Sequence, residues 1–237
     1  MKLLAIETAT EFCSVALLWD GQLISRGELA PRRHAEILLP MCNEVLAEAG
    51  VARNQLDAIA VGCGPGAFTG VRLAISAAQG IALGIDRPIV AVSSLAALAM
   101  CAPDNGAPTL AIIDARMGEI YAGCFVRDPH WLIRASGPES VGPADGLELP
   151  TEAANFVGTG WDTYKAVLKA RLHEAPLHCD GSCYPQADRV ALLAQPMFAA
   201  GMAIDPADVR PTYLRDNVAL TIAQQQQRRS HLTAGSA

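Results

Sequence analysis

A chain of 237 residues is long enough for one large domain or two small ones, and with 51% hydrophobic residues and few aromatics it buries a core without staples. The formal net charge of −6 argues against a broad basic face for independent nucleic-acid binding. Seven scattered cysteines mostly lie in apolar runs. The opening MKLLAIETAT is too short in apolar residues for a signal-peptide core, and longer apolar runs are broken by Gly, Asp or Arg, so a reduced cytoplasmic compartment and no membrane span are expected.

In chain order, Leu3–Glu7 and Cys13–Trp19 read as short strands, Asp20–Gly21 as a hairpin turn, and Gln22–Glu28 as a third antiparallel strand. Apolar residues at Leu38, Met41, Cys42, Val45, Leu46 and Ala49 recur at helical spacing until Gly50, and Pro40 inside the pattern is expected to bend that helix. Leu56–Val61 is a buried-type strand, Phe68–Ile85 a long helix and Ile89–Val92 a strand. Ser93 or Ser94 then caps a helix through Met100. The breaker cluster APDNGAP at Ala102–Pro108 marks the best domain boundary.

Beyond Pro108 the chain repeats its opening pattern. LLAIETATEFCSVAL places Glu7 after a strand, then a turn and a strand; TLAIIDARMGEIYAG does the same with Asp114, a turn at Met117–Gly118 and a strand from Glu119. The match lies in pattern rather than identity, and it suggests an internal duplication. Ala135–Pro150 reads as a Pro/Gly-rich connection, NFVGTGW as a strand entering a glycine turn, and Asp162–Leu172 and Asp188–Ala200 as helices. The pattern implies two α/β lobes, 1–104 and 105–222, with a ligand cleft between them and a disordered tail over 223–237.

The stretch GCGPGAFTGVR at Gly62–Arg72 joins a strand to a helix as phosphate loops do. A Walker-type loop needs a lysine, and none occurs between Lys2 and Lys165. The dinucleotide fingerprint fails as well, because the third glycine position falls on Ala67 or Thr69, and a three-strand meander is a poor start for that fold. The glycines instead permit close backbone approach, with Thr69 or a neighbour capping the helix. His173, His178, Cys179 and Cys183 fit no common zinc spacing and read as solvated loop residues. No nucleophile elbow is present.

The acids at strand ends have two readings. Glu7 with Thr8, Thr10 and Ser14, and Asp114 with Arg116, could face a nucleotide phosphate through magnesium, or could cap turns and pair locally. The helix FTGVRLAISAAQGIALG is apolar almost all round, so it is either enclosed by its own domain or covered on one side by a partner.

Together LAIETATEFCSVAL, RRHAEILLPM, GCGPGAFTGVRLAISAAQGIALG, IDARMGEIYAG, VGTGW and PTYLRDNVA resemble the bacterial TsaB (YeaZ) family. The resemblance runs over nearly the whole chain in the right order; Asp128–Pro150, the stretch around His173–Cys183 and the tail fall outside it. It implies two tandem RNase H-like lobes of the actin-like ATPase, sugar-kinase and Hsp70 fold. It also implies a role in making threonylcarbamoyladenosine at position 37 of tRNAs that read codons beginning with A. There the family serves as non-catalytic partner of its paralogue TsaD, together with the ATPase TsaE.

The catalytic paralogue carries a metal-binding His-x-x-x-His after its equivalent of Ile89–Val92. Aligned on Val92, those positions are Ser94 and Leu98 here, so no metal and no catalytic residue is expected. The resemblance further implies a partner surface on the helices His34–Ala49 and Phe68–Leu83, with Leu38, Met41, Cys42, Val45, Phe68, Val71, Arg72, Ala74, Ile75 and Ala78 at the interface. That surface would serve a heterodimer with TsaD or a homodimer when the chain is alone, with tRNA met only through the complex. Val45→Glu or Ala74→Arg is expected to abolish association and leave the lobes folded. No cofactor of its own is expected, while ATP or ADP at the interface stays open, with Glu7, Thr8, Thr10, Asp114 and Arg116 as the candidate nucleotide cleft. The alternatives are an independent ATP-dependent phosphotransferase of the same fold and a homodimeric binding module without a tRNA role.

Overall fold

A computed structural model describes residues 1–215; the expected tail at 223–237 lies outside them. The chain opens as a meander of β1 (Lys2–Glu7), β2 (Phe12–Trp19) and β3 (Gln22–Leu29), all antiparallel. Asp20 and Gly21 close the β2–β3 hairpin with φ of 48° and 82°, the left-handed pair that a two-residue turn demands. α1 (His34–Glu48) continues through Pro40, which faces solvent, and Gly50 follows at φ 64°. β4 (Ala58–Gly62) joins the sheet parallel to β1. After α2 (Phe68–Ile85), β5 (Ile89–Val92) adds parallel to β4. The Ser93 side chain accepts the Leu95 and Ala96 amides and caps α3 (Ser94–Ala99).

The second half repeats the plan. β6 (Thr109–Arg116), β7 (Glu119–Asp128) and β8 (Leu132–Ala135) are antiparallel, while β10 (Asn155–Val157) and β11 (His178–Asp180) add in parallel on the other side of β6. α4 (Thr159–Lys169) lies between β10 and β11, and α5 (Ala187–Ala199) comes after β11. The first sheet runs β3-β2-β1-β4-β5 and the second β11-β10-β6-β7-β8. Outward from the first strand of each half, the order and the directions are the same. The result is an α/β fold with two mixed sheets.

Two short strands depart from the sequence reading. β9 (Ser140–Pro143) pairs with the start of β7 inside the stretch read as a connection, and β11 lies inside the His173–Cys183 stretch read as solvated loop. Each has only three or four residues and no buried side chain, so no hydrophobic alternation announces it. The neighbouring strand supplies the hydrogen bonds that define it.

Alternation along β1 divides the first core. Leu4 and Ile6 face α1 and α2, while Leu3 and Ala5 face α5 together with Ala187, Val190, Ala191 and Ala194. The second core also takes in Leu95 and Leu98 of α3, with Ala111 and Ile113 of β6 and Phe125 of β7. Two helices are thus exchanged: α3 follows the first sheet in the chain but packs on β6 and β7, and α5 follows the second sheet but packs on β1, β2 and β4. The Ala187 amide, at the start of α5, donates to Ser14 Oγ on β2 at 2.9 Å. A third cluster, Leu110, Ile112, Phe156, Trp161 and Leu168, seals α4 against the second sheet.

Trp161 is fully enclosed there, with its ring centroid 4.7 Å from that of Phe156. Trp161→Ala should cost about 3–5 kcal/mol, read as a lower urea midpoint with an unchanged slope.

Candidate functional site

The glycine turn after β4 folds directly onto the β1–β2 connection. A Cβ at Gly62 would collide with the Glu7 carboxylate, one at Gly66 with the Ala9 carbonyl, and one at Gly70 with the Thr8 carbonyl. The Ala67 amide donates to Ala9 O at 2.7 Å, and Thr8 Oγ1 donates to Gly70 O at 2.7 Å. Ala9 packs directly against the turn. The glycines serve close packing, as the sequence suggests. The N-cap, however, is Ala67, which has no side-chain acceptor; Thr69 lies in the first turn and does not cap.

Glu7 and Thr8, expected at a nucleotide cleft, are instead wholly buried beneath it. Glu7 Oε1 accepts the Ala9 amide at 2.6 Å, and Oε2 accepts the Ser94 hydroxyl at 2.7 Å. Burial pushes the Glu7 carboxyl above its ordinary range, against the smaller opposing pull of those hydrogen bonds. Leu98, the other position matched to the paralogue's histidines, is buried against Gly158.

Between the sheets lies a cavity of about 290 Å³, whose wall includes Thr10, Glu11, Phe68, Asp114, Arg116 and Tyr213. Thr10, Asp114 and Arg116 do meet there. Asp114 is occupied locally: its Oδ1 accepts the Arg116 amide at 2.9 Å and the Tyr164 hydroxyl at 3.4 Å, and its Oδ2 takes Arg116 Nη1 at 3.1 Å. Arg116 also pairs with Glu11, so it bridges the two halves. The cleft is closed by an ion pair there rather than lined by free carboxylates. Among the described residues no three His, Cys, Asp or Glu side chains gather as metal ligands.

The helix pair α1 and α2 presents the largest groove, about 620 Å³, lined by Leu39, Leu73, Ala77, Gly80, Ile81 and Gly84 among others. Most residues expected at a partner interface lie on the wrong side of these helices. Leu38, Cys42 and Val45 of α1, with Val71, Ala74, Ile75 and Ala78 of α2, point into the core and are at most 4% exposed. Met41 and Arg72 are half-buried and Phe68 is 58% exposed, so these three reach the surface. The Arg72 guanidinium lies 3.2 Å over the Phe68 ring and 5.3 Å from Tyr213.

The exposed apolar side chains that sequence reasoning missed are Leu39 (52%) and Leu83 (65%), with half-buried Leu73, Ala77 and Ile81 between them. Ser76, Gly80 and Gly84 recur every four residues on that same exposed face, and a Cβ at Gly80 or Gly84 would meet nothing. That spacing was a signal available in the sequence. Of the two readings of α2, its own domain does not enclose it among the described residues: one face packs inward and the other is open. Val45→Glu and Ala74→Arg would therefore unfold the chain rather than test association, because each puts a charge into the core. The expectation of no membrane-length stretch is corrected too. α2, with 18 residues and a mean hydropathy of 1.4, is long and apolar enough to cross a membrane by composition, although here its inner face packs on β1 and β4.

A raised carboxyl such as Glu7 contributes stability below its unfolded range, and that contribution is lost as pH rises through the folded value. Glu7→Gln should therefore gain stability over the parent chain progressively as pH is raised above about 4.5, read from chemical denaturation midpoints across pH.

Comparison with known proteins comes down on one family. The model described as "TsaD: tRNA N6-adenosine threonylcarbamoyltransferase" matches residues 26–223. The tRNA threonylcarbamoyladenosine biosynthesis protein TsaB of Escherichia coli is 39% identical over 226 residues, covering 92% of this chain and 96% of its own. Its Haemophilus influenzae counterpart is 37% identical over 231 residues, covering 92% and 95%. The solved structure of YeaZ from Pseudomonas aeruginosa superimposes with a TM-score of 0.83 at 42% identity, covering 90% of this chain and 99% of that one. Matching end to end with these relatives and sharing their fold, the chain belongs to the family that model describes and, within it, to the TsaB (YeaZ) branch, the non-catalytic paralogue of TsaD.

Proposed function

We propose that this chain is the partner subunit required for transfer of the threonylcarbamoyl group to adenosine 37 of tRNAs reading codons that begin with A. The group is moved by a TsaD-type paralogue, which this chain scaffolds and activates together with the ATPase TsaE. The end-to-end relatives are named for tRNA threonylcarbamoyladenosine biosynthesis, which supports the pathway. Ser94 and Leu98 stand where the paralogue's metal histidines would align, and neither offers an imidazole, which supports an accessory role. The repeated strand order supports two RNase H-like lobes of the actin-like fold, 1–104 and 105–222, with α3 and α5 exchanged between them.

The observation that carries the reading is the exposed apolar groove between α1 and α2. Small residues at 76, 80 and 84 let a second helix approach closely, and Leu39, Leu73 and Leu83 supply apolar surface to bury. A matching helix pair on the paralogue completes a four-helix bundle there, and a second copy of this chain occupies the face when the paralogue is absent. tRNA is met through the complex, consistent with the net charge of −6. ATP or ADP sits at the interface with the partner. The complex works in the cytoplasm.

Reconstituting the transfer with and without this chain is the direct test: product should fall to background without it, and unchanged product would overturn the proposal. Leu39→Glu and Gly80→Leu should each abolish co-elution with the paralogue while the variant alone keeps its far-UV circular dichroism and melts within about 2 °C of the parent, because both side chains project into open solvent. Normal co-elution of both variants would remove the groove from the interface.

A further inference from the structure

We propose that Cys101 and Cys183 form a dithiol redox site, which a small disulfide such as glutathione disulfide converts into an intramolecular bond fastening the end of α3 to the loop before α5. Cys101 lies two residues beyond α3, and Cys183 lies between β11 and α5. Cys101 Sγ donates to the carbonyl of Tyr184, the residue that follows Cys183, at 3.7 Å, which sets the two thiols beside each other. Both pack against the same core cluster, and both are only partly buried, which admits a small oxidant.

The other cysteines lack this combination. Cys13 and Cys42 also lie near each other, but both are buried, and burial pushes their thiols up to about 11 and about 12. They stay protonated and shielded. At the proposed site the two thiols are inequivalent. The neighbouring Cys183 thiol and Arg189 lower the Cys101 thiol, whereas Cys101, burial and Asp180 raise that of Cys183.

Cys101 is thus the attacking thiolate. It displaces one glutathione thiolate from glutathione disulfide and forms a mixed disulfide. Cys183 then loses its proton and attacks the Cys101 sulfur, expelling the second glutathione. Two protein thiols are oxidised by two electrons, the glutathione disulfide is reduced to two thiols, and the two protein protons pass to them. The new bond would join the two exchanged helices, since α3 packs on the second sheet and α5 on the first. It would tie the halves together at a point remote from the α1–α2 groove.

The test is incubation of the native full chain with glutathione disulfide, followed by alkylation of the remaining thiols and peptide mapping. The expected result is a dominant Cys101–Cys183 cross-link, with Tm raised by on the order of 5 °C and restored by dithiothreitol, since the bond closes a long loop in the unfolded chain. Cys101→Ser and Cys183→Ser should each remove both the cross-link and the rise in Tm. Both thiols still free at saturating oxidant, Cys183 joined to the exposed Cys179, a cross-link that forms only in denaturant, or one that forms without raising Tm would each overturn the proposal.

Discussion

The contact on which the rest depends is the approach of the glycine turn to the Thr8–Ala9 backbone. Gly66 and Gly70 bring α2 so close to the β1–β2 connection that no Cβ fits between, and the Thr8 hydroxyl and Ala9 carbonyl then hydrogen-bond across the gap. That approach fixes where α2 begins and how it is rotated. Rotation decides which residues of α2 enter the core and which face solvent, and therefore what surface the molecule offers. A turn that looks like a phosphate loop works here as a hinge pin for a helix.

The second half uses the same device. Between β10 and α4, a Cβ at Gly158 would meet Ile112 and Leu98, and one at Gly160 would meet Ile112, in the strand that corresponds to β1. Both halves therefore set their helices by backbone contact rather than by a bound ligand. Glu7 and Ser94 complete the arrangement. The carboxylate, caught between Gly62 and the Ser94 hydroxyl, joins the end of β1 to the first residue of α3. Ser94 is thereby part of the core.

With the interior closed in this way, the open features lie on the outside. The cleft between the halves is crossed by the Glu11–Arg116–Asp114 ion pairs, which are too exposed to hold the halves firmly. The exchange of α3 and α5 does that through buried apolar contact. The groove between α1 and α2, by contrast, is a large apolar feature without cover among the described residues. A subunit that works through contact rather than chemistry needs that distribution.

Much of this was legible in the sequence. The β1–β2–β3 meander, the helix at Phe68–Ile85 and the strand at Ile89–Val92 follow from alternation, the Asp20–Gly21 turn and apolar periodicity, all of which are local signals. The absence of Lys between Lys2 and Lys165, and of histidine at 94 and 98, was likewise legible by residue type. The short strands β9 and β11, the exchange of α3 with α5, and the burial of Glu7 were set by the tertiary structure alone, because each depends on residues distant in the chain. The same holds for the partner face. Sequence located the helices, but in a helix as apolar as α2 the small residues at 76, 80 and 84 mark a face without saying whether it turns inward or outward, so Ala74 and Leu73 stay equivalent until the glycine turn fixes the rotation. Only the packed structure decided that Leu38 and Ala74 face the core while Leu39, Leu73 and Gly80 face outward.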